Sequence, residues 1–197
     1  MQFRRVTVAA LAVAAGLTLA ACGGDHSSMG TGDSSALSIP DDADFNAADV
    51  EFTQGMIPHH EQAIEMADMA LDPTVGASVE VVALAEAIQG GQDPEIQLMQ
   101  GWLDAWDQPA MEDMEGHDMS SMDGMMSAED MDELGTLQGA EFDAAWLAMM
   151  IEHHEGAVKM AETVKADGKN ADVATLADQV IAAQTAEIAT MKGLLAN

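Results

Sequence analysis

From residue 46 onward, apolar residues recur every three or four positions, the period of an amphipathic helix rather than the alternation of a strand. Asn46 predicts an N-cap, with Asp49 three residues on completing the pattern of a capping box. The periodic run then reaches about Leu71. Pro58 falls inside it. A helix-interior proline removes one hydrogen bond and crowds the carbonyl four residues back, here Gln54, so a kink or loosened turn is expected just before His59. Asp72-Pro73 reads as the N-cap and first residue of a second helix that extends to about Trp106. Gly90-Gly91 inside that helix predicts a weak point or a close helix approach, since each glycine costs about 1 kcal/mol against alanine. The periodicity lapses over residues 108–127. Ser127 to Asp130 then opens a third helix expected to run to about Ala166, stopped by Gly168. Asn170 caps a fourth, to about Leu195.

These segments repeat. Residues 52–67, FTQGMIPHHEQAIEMA, align with residues 146–161, WLAMMIEHHEGAVKMA, at a constant offset of 94. The second and fourth helices share Q-x-x-EI-x-x-M, Gln92 to Met99 and Gln184 to Met191, at an offset of 92. The offset changes in the turn between helices, so the unit of duplication is a helical hairpin. Two hairpins without strand signals predict an all-α, four-helix bundle with one core.

At about 100° per residue, Phe52 and Met66 fall beside His59, while Met56, Ala63 and Ala67 fall between His59 and His60. The acids Glu61, Glu65 and Asp68 fall opposite. The second copy places Trp146, Met150, His153, His154, Ala157 and Met160 inward in the same way. On the partner helices Gln92, Met99, Gln184 and Met191 share the apolar stripe, with Glu95 and Glu187 at its edge. A buried glutamine or glutamate needs a partner, because an unpaired buried polar group costs about 1–3 kcal/mol. An imidazole N–H across the bundle supplies one, as in the outer support of a metal-binding histidine.

Histidine with thioether is a soft ligand set. Imidazole suits zinc, copper, iron and nickel, and thioether selects Cu(I). Di-iron bundles instead carry Glu-x-x-His motifs, and the residue three before His59 is Met56. The candidate ligands are therefore His59, His60, His153 and His154, with Met56, Met66, Met99, Met150, Met160 and Met191, supported by Gln92, Glu95, Gln184 and Glu187. Copper, as Cu(I), is the favoured ion. Against this stands the ordinary use of a histidine or methionine on an apolar face as core filler. Four of the six histidines gathered in two duplicated pairs weigh against that reading.

The linker adds a second set. Met111, Met114, Met119, Met122, Met125, Met126 and Met131 crowd together with His117, seven of the chain's 17 methionines, and follow no helical stripe. Mixed with acids, and expected to be disordered without a ligand, they predict an accessory metal-capturing loop, with a plain low-complexity acidic loop as the alternative.

The N-terminus carries Arg4 and Arg5, then a short apolar run from Val6 to Leu19, and the sequence Leu19-Ala20-Ala21-Cys22. This predicts a lipoprotein signal over residues 1–21, lipidation of Cys22, a flexible tether over 22–44 and the folded domain over 45–197. Cys22 is the only cysteine, which removes disulfides and thiolate sites. Beyond residue 21 four lysines face 35 acids, a net charge of −31, which opposes nucleic-acid binding and favours cations.

The paired MIPHHEQAIEMA, MIEHHEGAVKMA and Q-x-x-EI-x-x-M segments resemble the bacterial family known as domain of unknown function 305. The resemblance covers about residues 45–197. It implies a ferritin-like bundle, secreted or lipid-anchored, with copper binding in some members and no transferable enzymatic activity. The expected function is an extracytoplasmic, membrane-tethered protein that sequesters copper or passes it to a copper-handling partner. The alternatives are a ferritin-like metal-dependent oxidase and a helical interaction module.

Overall fold

The structure is a computed structural model that describes residues 39–111 and 122–196. Among them the chain forms five helices and no strand: α1 (Ala47–Leu71), α2 (Val79–Trp106), α3 (Ala128–Leu134), α4 (Gly139–Asp167) and α5 (Ala171–Leu195). The four long helices are the bundle, and α3 is a short addition on the way into α4. The capping box at Asn46 forms, with Asp49 N–H donating to the Asn46 side chain at 3.1 Å and Asn46 N–H to Asp49 at 2.8 Å. Helix α1 remains helical through Pro58.

Three expectations change. Helix α2 starts at Val79 with Ser78 as N-cap, not at Asp72-Pro73. Asp72 instead closes α1, and its carboxylate accepts from both the N–H and the hydroxyl of Thr74 at 2.8 Å. That local turn competes with helix initiation at the same residue. The expected long third helix is two helices. Helix α3 ends at Leu134, and Gly139 turns the chain into α4 with a φ of +55°, a conformation favouring glycine. Gly90 and Gly91 are not a close helix contact, because a Cβ at either would meet nothing within 4 Å.

Helix α1 packs on α2, α4 on α5, and the two hairpins meet through α1 and α4. Asn46 at the start of α1 donates to the Asp167 carbonyl at the end of α4, so these helices run antiparallel. Each hairpin caps the other. Buried Asp49 of α1 accepts from the backbone N–H groups of Lys169 and Asn170, entering α5. Its repeat counterpart Asp143 of α4 accepts from Ser78 N–H, entering α2.

The apolar interior is divided. One cluster holds Met56, Ile96, Met99, Ala157, Ala161 and Val180. The other holds Ala63, Met66, Ala85, Ile88, Trp146, Met150 and Met191. Every long helix contributes to both. Residues lying between the two clusters along each helix are His59 and His60 of α1, Gln92 of α2, His153 and His154 of α4, and Gln184 of α5. All six are buried. The bundle therefore has a polar layer at mid-height, between two greasy halves. Residues 39–44 do not all stand off as tether, since Ile39 and Ala43 pack on the first cluster.

Candidate metal centre

The four imidazoles are fully buried. His59 and His153 touch across the α1–α4 seam, with ring centroids 3.8 Å apart, and His154 lies 6.3 Å from His153. The histidines therefore gather in one layer shared by both hairpins. The supporting carboxylates are where the sequence places them. His60 Nε2 and Glu95 Oε2 are 2.8 Å apart, and His154 Nε2 and Glu187 Oε2 are 2.8 Å apart. The two carboxylates are 22% and 23% exposed, so each histidine is tied to the edge of the bundle in the same way.

These bonds decide the tautomers. A carbonyl oxygen only accepts, so His59, whose Nε2 lies 3.2 Å from the Asp123 carbonyl, carries its proton on Nε2. A glutamate oxygen acting as acceptor imposes the same on His60 and His154. In all three the lone pair is then left on Nδ1. Those three Nδ1 atoms are buried without a hydrogen-bond partner, and so are both ring nitrogens of His153 and the side-chain oxygens of Gln92 and Gln184. Among the described residues, these seven are all the buried side-chain polar atoms without a partner, and every one lies in the layer. Buried polar atoms are nearly always satisfied, and exceptions mark a functional site, an ion or a water. The glutamines, expected to pair with imidazole, do not use their oxygens for it.

Burial holds His59 and His153 neutral. His59 is pushed down to about 3, first by desolvation and then by repulsion from His60, against the opposing Asp123 carbonyl. His153 is held well below the usual imidazole range by desolvation and then by His59, His154 and His60; the nearby His59 backbone opposes this, although neither His153 ring nitrogen makes a hydrogen bond of good geometry. A neutral imidazole keeps the lone pair that a metal needs.

Met56, Met66, Met99, Met150 and Met191 are fully buried, in the clusters on either side of the layer. Met160 is only half-buried, unlike its counterpart Met66. Among the described residues, no group of three or more His, Cys, Asp or Glu side chains is arranged to hold a metal ion.

The described part of the linker is ordered on the bundle. Residues 122–126 cross α1 and α4 as a strap over His59. Gln62 of α1 bonds the Met126 backbone twice, accepting from its N–H at 2.8 Å and donating to its carbonyl at 2.9 Å. At the matching position α4 has Gly156, where a Cβ would lie 2.1 Å from the Asp123 carbonyl oxygen, so only glycine lets the strap descend. Lys159 holds the Asp123 carboxylate at 2.6 Å. Met126 and Met131 are buried in the core, which corrects the expectation that packing does not explain the linker methionines. Met111, Met122 and Met125 are half-buried. Met114, His117, Met119 and Cys22, with the signal segment, lie outside the described residues. Asp123, Gln62 and Gly156 escape the sequence reading, although the break in the repeat, glutamine in one copy and glycine in the other, is the visible signal for two of them.

No curated protein matches the chain in sequence. Solved structures do resemble it. A DUF305 fragment from Deinococcus radiodurans is 32% identical, with a TM-score of 0.68, over 77% of this chain and 97% of the fragment. A candidate secreted DUF305 protein from Streptomyces coelicolor is 32% identical, with a TM-score of 0.65, over 76% of this chain and 92% of its own. CopM in a Cu(II)-bound form is 36% identical, with a TM-score of 0.64, over 76% of this chain and 96% of its own. CopM is also known with Cu(I) and with silver bound. Residues 49–195 match the family described as Domain of unknown function (DUF305), and the chain belongs to that family.

Proposed function

We propose that the protein binds copper outside the cytoplasm, held at a membrane surface by a lipidated Cys22, and sequesters Cu(I) or passes it on. The observation that carries the metal reading is the layer of seven unpartnered buried polar atoms, five of them imidazole nitrogens. An ion at mid-height would take up the Nδ1 lone pairs of His59, His60 and His154 and a nitrogen of His153. Thioethers from the flanking clusters would complete the set. Glu95 and Glu187 would orient His60 and His154 and raise their basicity, as outer carboxylates do for metal-bound histidines.

Copper is favoured by ligand softness and by likeness to CopM, which is solved with Cu(II), Cu(I) and silver. The contact of His59 with His153 supports one centre shared by the hairpins rather than two separate ones. The extracytoplasmic location is supported by the Streptomyces relative and by the signal-like N-terminus. The carboxylates nearest the layer serve as histidine acceptors, which gives the oxidase reading no support.

Titration with Cu(I) under reducing conditions, read by native mass spectrometry, tests the proposal. A tightly held ion that is lost when His59, His60, His153 and His154 are replaced by glutamine is the expected result. Unchanged stoichiometry in that variant would refute the core site.

A further inference from the structure

Two methionines from different elements meet over Gly55. A Cβ on this residue would lie 3.0 Å from the Met160 methyl and 3.6 Å from the Met122 sulfur. Gly55 is buried in α1 one helical turn before His59, on the same side of the helix. Its repeat counterpart is Met149, so the cradle exists in one hairpin only. Met122 and Met160 are half-buried, whereas the five other bundle methionines of the repeat are sealed inside. Met160 also lines an open cleft of about 240 Å³, whose rim includes Glu51, Asp123 and Asp167 beside Lys159. The residue after Met122 is Asp123, whose carbonyl lies on His59. An acidic cleft, two half-buried methionines and the first imidazole of the layer thus lie beside one another against α1.

Core filling accounts poorly for this arrangement. A filler methionine occupies space that a larger neighbour leaves, and it is covered. Here α1 gives up its side chain altogether, and the methionines that take the place are only half-buried. We propose that Met122 and Met160, seated on Gly55, form a second soft-metal site, a port through which Cu(I) reaches His59. The port rests on the copper reading of the layer and adds the route. The carboxylates of the cleft concentrate cations, and thioether selects the soft one among them. Two thioethers hold an ion less firmly than imidazoles with thioether, which suits a site that passes its ion on.

The test uses the full chain, with methionine methyl groups labelled for NMR and Ag(I) as a redox-inert probe. The Met122 and Met160 methyl resonances are expected to shift together at the first additions. Met122→Leu keeps side-chain volume and removes one of the two thioethers. This variant is expected to slow the arrival of Ag(I) at the histidines, followed by their ring resonances, by about tenfold or more. The final occupancy of the histidines and the unfolding midpoint are expected to stay unchanged. Loading at the wild-type rate, or methyl resonances that do not move, overturns the port. Ag(I) that shifts both methyl groups yet never reaches the imidazoles supports the thioether site and refutes the core centre instead.

Discussion

The two hairpins are alike in the carboxylates, glutamines and α2/α5 methionines around the polar layer and unlike where they face the strap. His60 with Glu95 and His154 with Glu187 have the same 2.8 Å separation and nearly the same exposure. Gln92 and Gln184 are buried alike, as are Met99 and Met191. On the outer side of α1 and α4 the match fails. Gln62 faces Gly156 across the repeat, Gly55 faces Met149, Pro58 faces Glu152, and sealed Met66 faces half-buried Met160. The difference separates two tasks. The layer needs both copies, because the His59–His153 contact is made by one residue from each. Access needs only one, because among the described residues a single strap crosses the bundle.

The largest expected effect comes from protons, which act on the layer. His59 titrates near 6.5 when unfolded and near 3 when folded, so the unfolded chain binds more protons throughout that interval. Stability is then full above about pH 6.5 and falls as pH is lowered toward 3, by about 1.4 kcal/mol per pH unit. His153 is shifted in the same direction and adds to the slope. Urea unfolding of the metal-free protein between pH 7 and 4 measures it. Stability that is flat over this range would mean that the imidazoles are not buried.

Next come the reciprocal caps. Asp49 accepts from three backbone N–H groups, Asn46, Lys169 and Asn170, and is fully buried. Asp143 accepts from Ser78 alone. Asp49→Ala is therefore expected to cost about 3 kcal/mol, and Asp143→Ala about 1 kcal/mol. Denaturant midpoints of the two variants measure the asymmetry, and equal losses would contradict it.

Glu95→Gln and Glu187→Gln probe the symmetric side. Each is expected to weaken copper affinity by about ten- to a hundredfold, and by similar factors, as for other carboxylates supporting metal-bound histidines. Competition with a Cu(I) chelator measures both. A loss confined to one variant would place the ion in one hairpin. The smallest effect concerns the exposed glycines of α2. A Cβ at Gly90 or Gly91 has open space, and their counterparts at an offset of 92 in α5 are Ala182 and Ala183. Gly90→Ala and Gly91→Ala are expected to stabilise by up to about 1 kcal/mol each, seen as a raised unfolding midpoint.

The bundle and the ligand stripe were legible because both rest on periodicity. Phe52, Met56, His59, Ala63 and Met66 are three or four residues apart, and the helix carries them inward together. The caps at Asn46, Ser127 and Asn170 were legible because a short side chain meets a backbone N–H within three residues. What periodicity does not encode was missed. Helix α2 begins late because Asp72 bonds Thr74 in a local turn, and α4 is cut from α3 at Gly139 by a backbone angle. The Asp123 carbonyl on His59 spans 64 residues of sequence, and a backbone acceptor leaves no mark in residue type. Gly156 did leave one, as the repeat position where glutamine gives way to the smallest residue.

The proposed soft-metal centre joins all four histidines, with Nδ1 as the ligating atom in His59, His60 and His154. Ring-nitrogen NMR of the labelled protein before and after one equivalent of Ag(I) tests it most directly. The expected result is that all four imidazoles respond together, with the Nδ1 resonances of those three shifted and their Nε2 protons retained. Histidine rings that stay unchanged while only the linker methionines respond, or two rings that respond without the other two, would contradict it.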